Sequence, residues 1–149
     1  MSMRNEVVLD ASVAVAFATG DEPDSPAAEA LVERLVSSGC AILAPPLFES
    51  EADGALRQRA YRGAFAPQEA ALARSALDGL PVVILHRAAV RRRAREIAET
   101  LNQRLVYDST YAALAELRGC ELWTGDRAFH RAARRQFGFV RYIQEVGKP

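Results

Sequence analysis

The chain has 149 residues and a mass of 16.3 kDa, enough for one domain that buries roughly 70% of its unfolded surface. Hydrophobic residues make up 50% and charged residues 26%, and no apolar run approaches the roughly 20 residues that span a bilayer, which excludes a membrane protein. The formal net charge of zero excludes a protein that grips nucleic acid with its whole surface, and the single lysine, Lys148, excludes chemistry needing an internal lysine.

The first apolar segment, "EVVLD" at residues 6–10, reads as a buried strand that ends in a carboxylate, Asp10, before small residues that can start a helix. A charge there is either a helix cap or a member of a site. "SPAAEALVERLVSSG" sets Ala28, Leu31 and Leu35 at helical intervals and ends at a glycine suited to a left-handed cap. "AILAP" at 41–45 is the second strand. "PPLFESEADGALRQRAYRG" and "APQEAALARSALDGLP" read as two helices joined at Gly63, the second opened by Pro67 and closed by Gly79. After the third strand, "PVVIL" at 81–85, "RAAVRRRAREIAETLNQ" places Val90, Ala94, Ile97 and Leu101 on one stripe, and "DSTYAALAELRG" forms the next helix. "CELWT" at 120–124, the helix of "DRAFHRAARRQFG", and "FVRYI" at 139–143 complete the series.

Strands that are almost continuously apolar and alternate with helices predict a parallel sheet covered on both faces. The expected fold is α/β, a three-layer α/β/α sandwich with a central parallel five-stranded sheet, in a single domain over residues 1–149. The helix pair between the second and third strands reads as its only long connection. Ligands of such sheets bind beyond the carboxyl ends of the strands, where Asp10 stands. Nothing in "MSMRNEVVLD" resembles a secretion signal, so a cytoplasmic location is expected. Cys40 and Cys120 read as reduced core thiols, and His86 and His130 as isolated surface or helix-end histidines.

Charge is segregated along the chain. Residues 1–33 hold seven acids and one base, Arg4, whereas 86–95 and 127–144 each hold five arginines and no acid. Asp126, in "LWTGDRAF", ends the fourth strand as Asp10 ends the first. Asp108 opens a helix in "LVYDSTYAALAEL". Each of the three aspartates fits an N-cap, and capping is compatible with metal binding. Glu51 has no capping role: it lies inside a helix with Leu47, Gly54 and Ala55 as its helical neighbours, where a carboxylate is costly to bury unless paired or coordinated. Asp53 is the lesser alternative, and Glu49 points to another face. Carboxylates converging with no base nearby repel and retain protons until a cation arrives, and an all-oxygen donor set suits Mg²⁺ or Mn²⁺ rather than zinc. Such ions polarise a phosphodiester and generate hydroxide to attack it, so hydrolytic nuclease chemistry is expected.

With these motifs in order, the chain resembles the PIN-domain family, and more narrowly the VapC-type ribonuclease toxins of type II toxin–antitoxin pairs. The motifs are "VVLDAS", "EADGAL" with Glu51 and Leu56, "YDSTYAALAE", and "LWTGDRAF". The resemblance implies Asp10, Glu51, Asp108 and Asp126 as catalytic metal ligands, with Ser12 and Thr124 as supporting hydroxyls. It implies an endoribonuclease dependent on Mg²⁺ or Mn²⁺ that cuts RNA and is inhibited by a cognate antitoxin, as a homodimer that forms a heterotetramer or larger assembly with it. Gly54 stands where the family usually has Asn, and Ser109 where Ala is common. Arg91, Arg92 and Arg95 are the candidate RNA contacts, set against a merely solvated helix face, as are Arg93 and, in the last helix, Arg131, Arg134 and Arg135. Three other readings stand beside the toxin: a PIN nuclease of RNA processing without an antitoxin, a receiver-type phosphoacceptor, and a catalytically silent interaction module. The receiver reading requires a lysine at a strand end, where this chain has none.

Overall fold

A computed structural model describes residues 5–149; Arg4, counted above among the bases, lies outside the described residues. The sheet comprises β1 (Glu6–Leu9), β2 (Ala41–Ala44), β3 (Val82–Ile84), β4 (Glu121–Thr124) and β5 (Val140–Tyr142), all parallel in the order β3-β2-β1-β4-β5. Seven helices flank it: α1 (Ala11–Thr19), α2 (Ser25–Ser37), α3 (Leu47–Tyr61), α4 (Pro67–Asp78), α5 (Ala88–Thr100), α6 (Tyr107–Arg118) and α7 (Arg127–Ala133). The expected α/β/α architecture and all five strands are present.

Burial explains the strand sequences. Val8 and Leu9 in β1, Ile42 to Ala44 in β2 and Leu122 to Thr124 in β4 are buried, as strands covered on both faces must be. β3 is an edge strand, and its Val83 is half exposed. On the helices, the stripes read from the sequence face the core: Ala28, Leu31 and Leu35 on α2, and Val90, Ala94 and Ile97 on α5. Gly39, just past α2, has φ +68°, the left-handed conformation expected for its terminal glycine.

Three features differ from expectation. α1 buries Ala11 and every residue from Val13 to Ala16, and packs against α2, α3 and α4; a helix enclosed on all sides has no amphipathic period to mark its extent. α7 ends at Ala133 rather than 138, where the chain tightens into a turn in which the Gln136 N–H reaches the Ala133 carbonyl at 3.1 Å. The α3–α4 connection is not the only long one, since α1–α2 and α5–α6 also join successive strands.

From β1 the chain builds outward to β2 and β3, then returns to place β4 on the other side of β1. That reversal puts the topological switch point between β1 and β4. It also differs from the 2-1-3-4-5 order of receiver domains, which removes the phosphoacceptor reading.

Candidate active site

At the switch point, the carboxyl ends of β1 and β4 are tied together by the Asp10 N–H, which donates to the Trp123 carbonyl at 3.0 Å. The buried Asp10 carboxylate accepts from Thr124 Oγ1 at 2.6 Å and Ser12 Oγ at 3.1 Å through Oδ2, and from the Ser12 N–H at 3.4 Å through Oδ1. Burial raises its pKa; the three hydrogen bonds oppose the rise and the neighbouring Asp126 charge adds to it. Both hydroxyls also accept. Thr124 Oγ1 takes the Asp126 N–H at 3.0 Å, and Ser12 Oγ takes the Gly125 N–H at 2.9 Å. A Cβ at Gly125 would stand 3.1 Å from Ser12 Oγ, so glycine permits this close approach. Asp10, Ser12, Thr124 and Asp126 thus form one hydrogen-bonded unit across two strand ends.

Asp10 caps α1 through Ser12, and Asp126 caps α7 by accepting the Phe129 N–H at 2.9 Å. Asp108 does not cap. Helix α6 begins at Tyr107 after Val106, which leaves Asp108 inside the first turn with its carboxylate directed to the cavity rather than to backbone amides. Its pKa is pushed up to about 7, first by burial, then by the charges of Asp10, Asp126 and Glu51, and by a hydrogen bond with Asp126.

Glu51, in mid-α3, accepts from the Tyr111 hydroxyl at 2.6 Å. Burial raises its pKa, the Tyr111 bond lowers it and Asp10 raises it. The Tyr111 phenol is pushed above its ordinary range by burial, the Asp10 charge and its bond to Glu51. Asp53 lines a different cavity, with Glu49 and Asp78.

Asp10, Glu51, Asp108 and Asp126 line one cavity of about 340 Å³, together with Ser12 and Glu22. Sequence reasoning missed Glu22 and Tyr111. Tyr111 had a usable signal, since it follows Asp108 by three residues and shares its helix face. Glu22 had none, because the α1–α2 turn sets its direction. It also brings a base: Arg59 lies 3.4 Å from Glu22 and 2.6 Å from Asp21, and its guanidinium stacks over Phe65, so the acid cavity is not remote from positive charge as expected.

The remaining candidates separate by environment. His130 is buried rather than superficial, 3.2 Å from Glu145 and stacked on Tyr142, whereas His86 is exposed. Cys40 and Cys120 are free thiols, partly buried. Arg93 is bound to Glu116 at 2.6 Å and Glu96 at 3.1 Å, and Arg92 reaches Glu96 at 3.9 Å. Arg91 and Arg95 instead line a second cavity on the same rim of the sheet.

The donor chemistry of the acid cavity fits a hard divalent cation: carboxylate oxygens, no thiolate or imidazole, and three acids whose pKa values are raised by enclosure among like charges. Among the described residues, no three His, Cys, Asp or Glu side chains are already grouped for metal ligation.

A family model described as PIN domain matches residues 7–135. The fold is similar to that in the crystal structure of PAE2754 from Pyrobaculum aerophilum, with a TM-score of 0.66 and 20% sequence identity over 95% of this chain and 92% of that one. A comparison with curated proteins found no match.

Proposed function

The chain belongs to the PIN domain family, and from that premise we propose that it is an endoribonuclease dependent on Mg²⁺ or Mn²⁺, acting as the toxin of a VapC-type toxin–antitoxin pair. PIN domains are typically metal-dependent nucleases, which supports a hydrolase acting on a nucleic-acid backbone. The observation that carries the reading is the meeting of Asp10, Glu51, Asp108 and Asp126, from four separate elements, on the wall of one cavity at the switch point of the sheet.

In this reading the four acids hold the cation. When bound, it polarises the scissile phosphate and lowers the pKa of a water. The chain's own residues prepare the site. Thr124 and Ser12 hold the Asp10 carboxylate in one orientation, and Tyr111 directs Glu51. Asp108, whose pKa is pushed up to about 7, holds a proton in part near neutral pH and would give it up on binding the cation. The cognate antitoxin silences a homodimeric toxin by covering the acid cavity in a heterotetramer or larger complex. A cytoplasmic location is part of this proposal; among the described residues no helix is long and apolar enough to cross a membrane.

The test is purified protein with structured and single-stranded RNA, with and without EDTA, beside Asp10→Asn and Asp126→Asn. Cleavage that needs Mg²⁺ or Mn²⁺ and falls by orders of magnitude in either variant is expected, and toxicity on expression is expected only of the wild type. Cutting that survives in both variants refutes the site. A small open reading frame just upstream of the coding sequence, encoding a DNA-binding antitoxin, supports the toxin role.

A further inference from the structure

The second cavity, about 350 Å³, opens on the same rim beyond the carboxyl ends of β2 and β3, on the side of β1 opposite β4. Its size falls within the roughly 300–1,000 Å³ of small-ligand sites. Pro45, Leu47, Leu85, Val90 and Ala94 supply apolar surface, and Arg87, Arg91 and Arg95 stand around them. The two cavities share walls: Leu47 precedes Glu51 by one turn of α3, and Val106 and Thr110 bracket Asp108 on α6.

The arginines of α5 are not equivalent. Arg92 and Arg93 are turned to glutamates, whereas Arg87, Arg91 and Arg95 form no ion pair among the described residues. Beside them Leu105, Val106 and Tyr107 are exposed. Arg87 donates to the His86 carbonyl at 3.0 Å, which leaves its positive charge uncompensated. An apolar pocket flanked by guanidinium groups outside any ion pair and by large exposed side chains, one turn from the proposed phosphodiester-cleaving centre, matches a nucleotide: an apolar face for the base, cations for its phosphates.

Resting on the nuclease reading above, we propose that this cavity is a base-binding subsite for single-stranded RNA, which seats one nucleotide flanking the scissile bond while Arg87, Arg91 and Arg95 hold the adjacent phosphates. The RNA backbone then runs along the carboxyl rim from the β4–β1 end, where it is cut, to the β2–β3 end, where a base is held. A cleavage preference for unpaired segments follows, because a base must leave its stack to enter the pocket.

The test measures binding apart from cleavage. A fluorescein-labelled single-stranded RNA of about ten nucleotides is titrated by anisotropy in EDTA. Arg91→Ala/Arg95→Ala is expected to weaken binding about tenfold and to reduce the salt slope by about 1.4, which is 0.7 for each lost phosphate contact. Thr110→Trp, which fills the cavity from α6, is expected to weaken binding about tenfold with the salt slope unchanged. With the wild-type protein, a series of oligonucleotides each carrying one abasic position is expected to lose affinity at a single position. Unchanged affinity in both variants, or an abasic series without a distinct position, overturns the subsite. If the wild type cleaves RNA in Mg²⁺ despite that result, the nuclease reading stands without the subsite; if it neither binds nor cleaves, the nuclease reading itself fails. Loss of self-association in Thr110→Trp with RNA affinity intact assigns the cavity to protein contact and likewise overturns the proposal.

Discussion

The raised pKa of Asp108 predicts an unusual dependence of stability on pH. Between pH 4 and 7 the folded chain retains a proton on Asp108 that the unfolded chain has lost, so the metal-free protein must lose stability as pH rises through this range and level off above about 7. Raising a carboxyl from 3.8 to about 7 corresponds to about 4 kcal/mol in a dry site. Asp108 is partly open to solvent, and screening reduces this to about 1–2 kcal/mol, or a fall in Tm of roughly 2 to 8 °C between pH 5 and pH 8. Asp10 and Glu51, whose pKa values are also raised, act in the same direction. Asp108→Asn isolates the effect: its Tm is expected to match the wild type at pH 5 and exceed it at pH 8. Thermal unfolding in EDTA, followed by circular dichroism at half-unit pH steps, reads both curves. Saturating Mg²⁺ is expected to raise the wild-type Tm more at pH 8 than at pH 5, where protons compete for the same oxygens. A wild-type Tm that is flat or rises over the window, or an Asp108→Asn curve parallel to it, refutes the reasoning.

Other substitutions probe the support of the site. Thr124→Val removes a buried hydroxyl that donates to Asp10 and accepts from the Asp126 N–H; a loss of about 2–4 kcal/mol in urea denaturation and a ten- to hundredfold drop in cleavage are expected, with Thr124→Ser close to wild type. Ser109 Oγ is buried and has no hydrogen-bond partner among the described residues, so Ser109→Ala is expected to stabilise the chain by about 1 kcal/mol in the same assay. Gly54 lies within α3 with open space where a Cβ would stand, and Gly54→Ala is expected to add about 0.5–1 kcal/mol by lowering the cost of helix formation.

The legible parts of the fold were those with a local signature. Buried strands declare themselves as apolar runs, and a half-buried helix such as α5 declares itself by its stripe. α1 was hard to delimit because burial on all sides erases that period. Within the site, Asp10 and Asp126 were readable because each follows a strand and precedes a helix. Glu51 was readable from the absence of any structural reason for a carboxylate on that face. Tyr111 and Glu22 were not read, because a phenol on an apolar helix looks like core and Glu22 depends on the turn from α1 to α2. The inequivalence of the α5 arginines was also beyond the sequence. Arg93 is taken up by Glu116, a residue 23 positions away, and only the packing of α5 on α6 decides that it, rather than Arg91 or Arg95, is neutralised.

The hydrogen-bond pattern divides the four acids into two kinds. Asp10 and Asp126 are fixed by the Ser12 and Thr124 hydroxyls and by backbone amides, and both sit on strand ends that the sheet holds rigid. Glu51 has a single phenol partner and Asp108 has no backbone amide capping it; both project from helices. The raised pKa falls most heavily on Asp108, the acid with least local hydrogen-bond support, because burial and three like charges act there without backbone donors to offset them. In the proposed metal site, the two fixed carboxylates would define where a cation sits, and the two adjustable ones would rotate or shed a proton to meet it. Such a division lets the chain fold without a cation below about pH 7: there the most crowded acid keeps its proton, and the full repulsion of four anions sets in only as pH rises past that value.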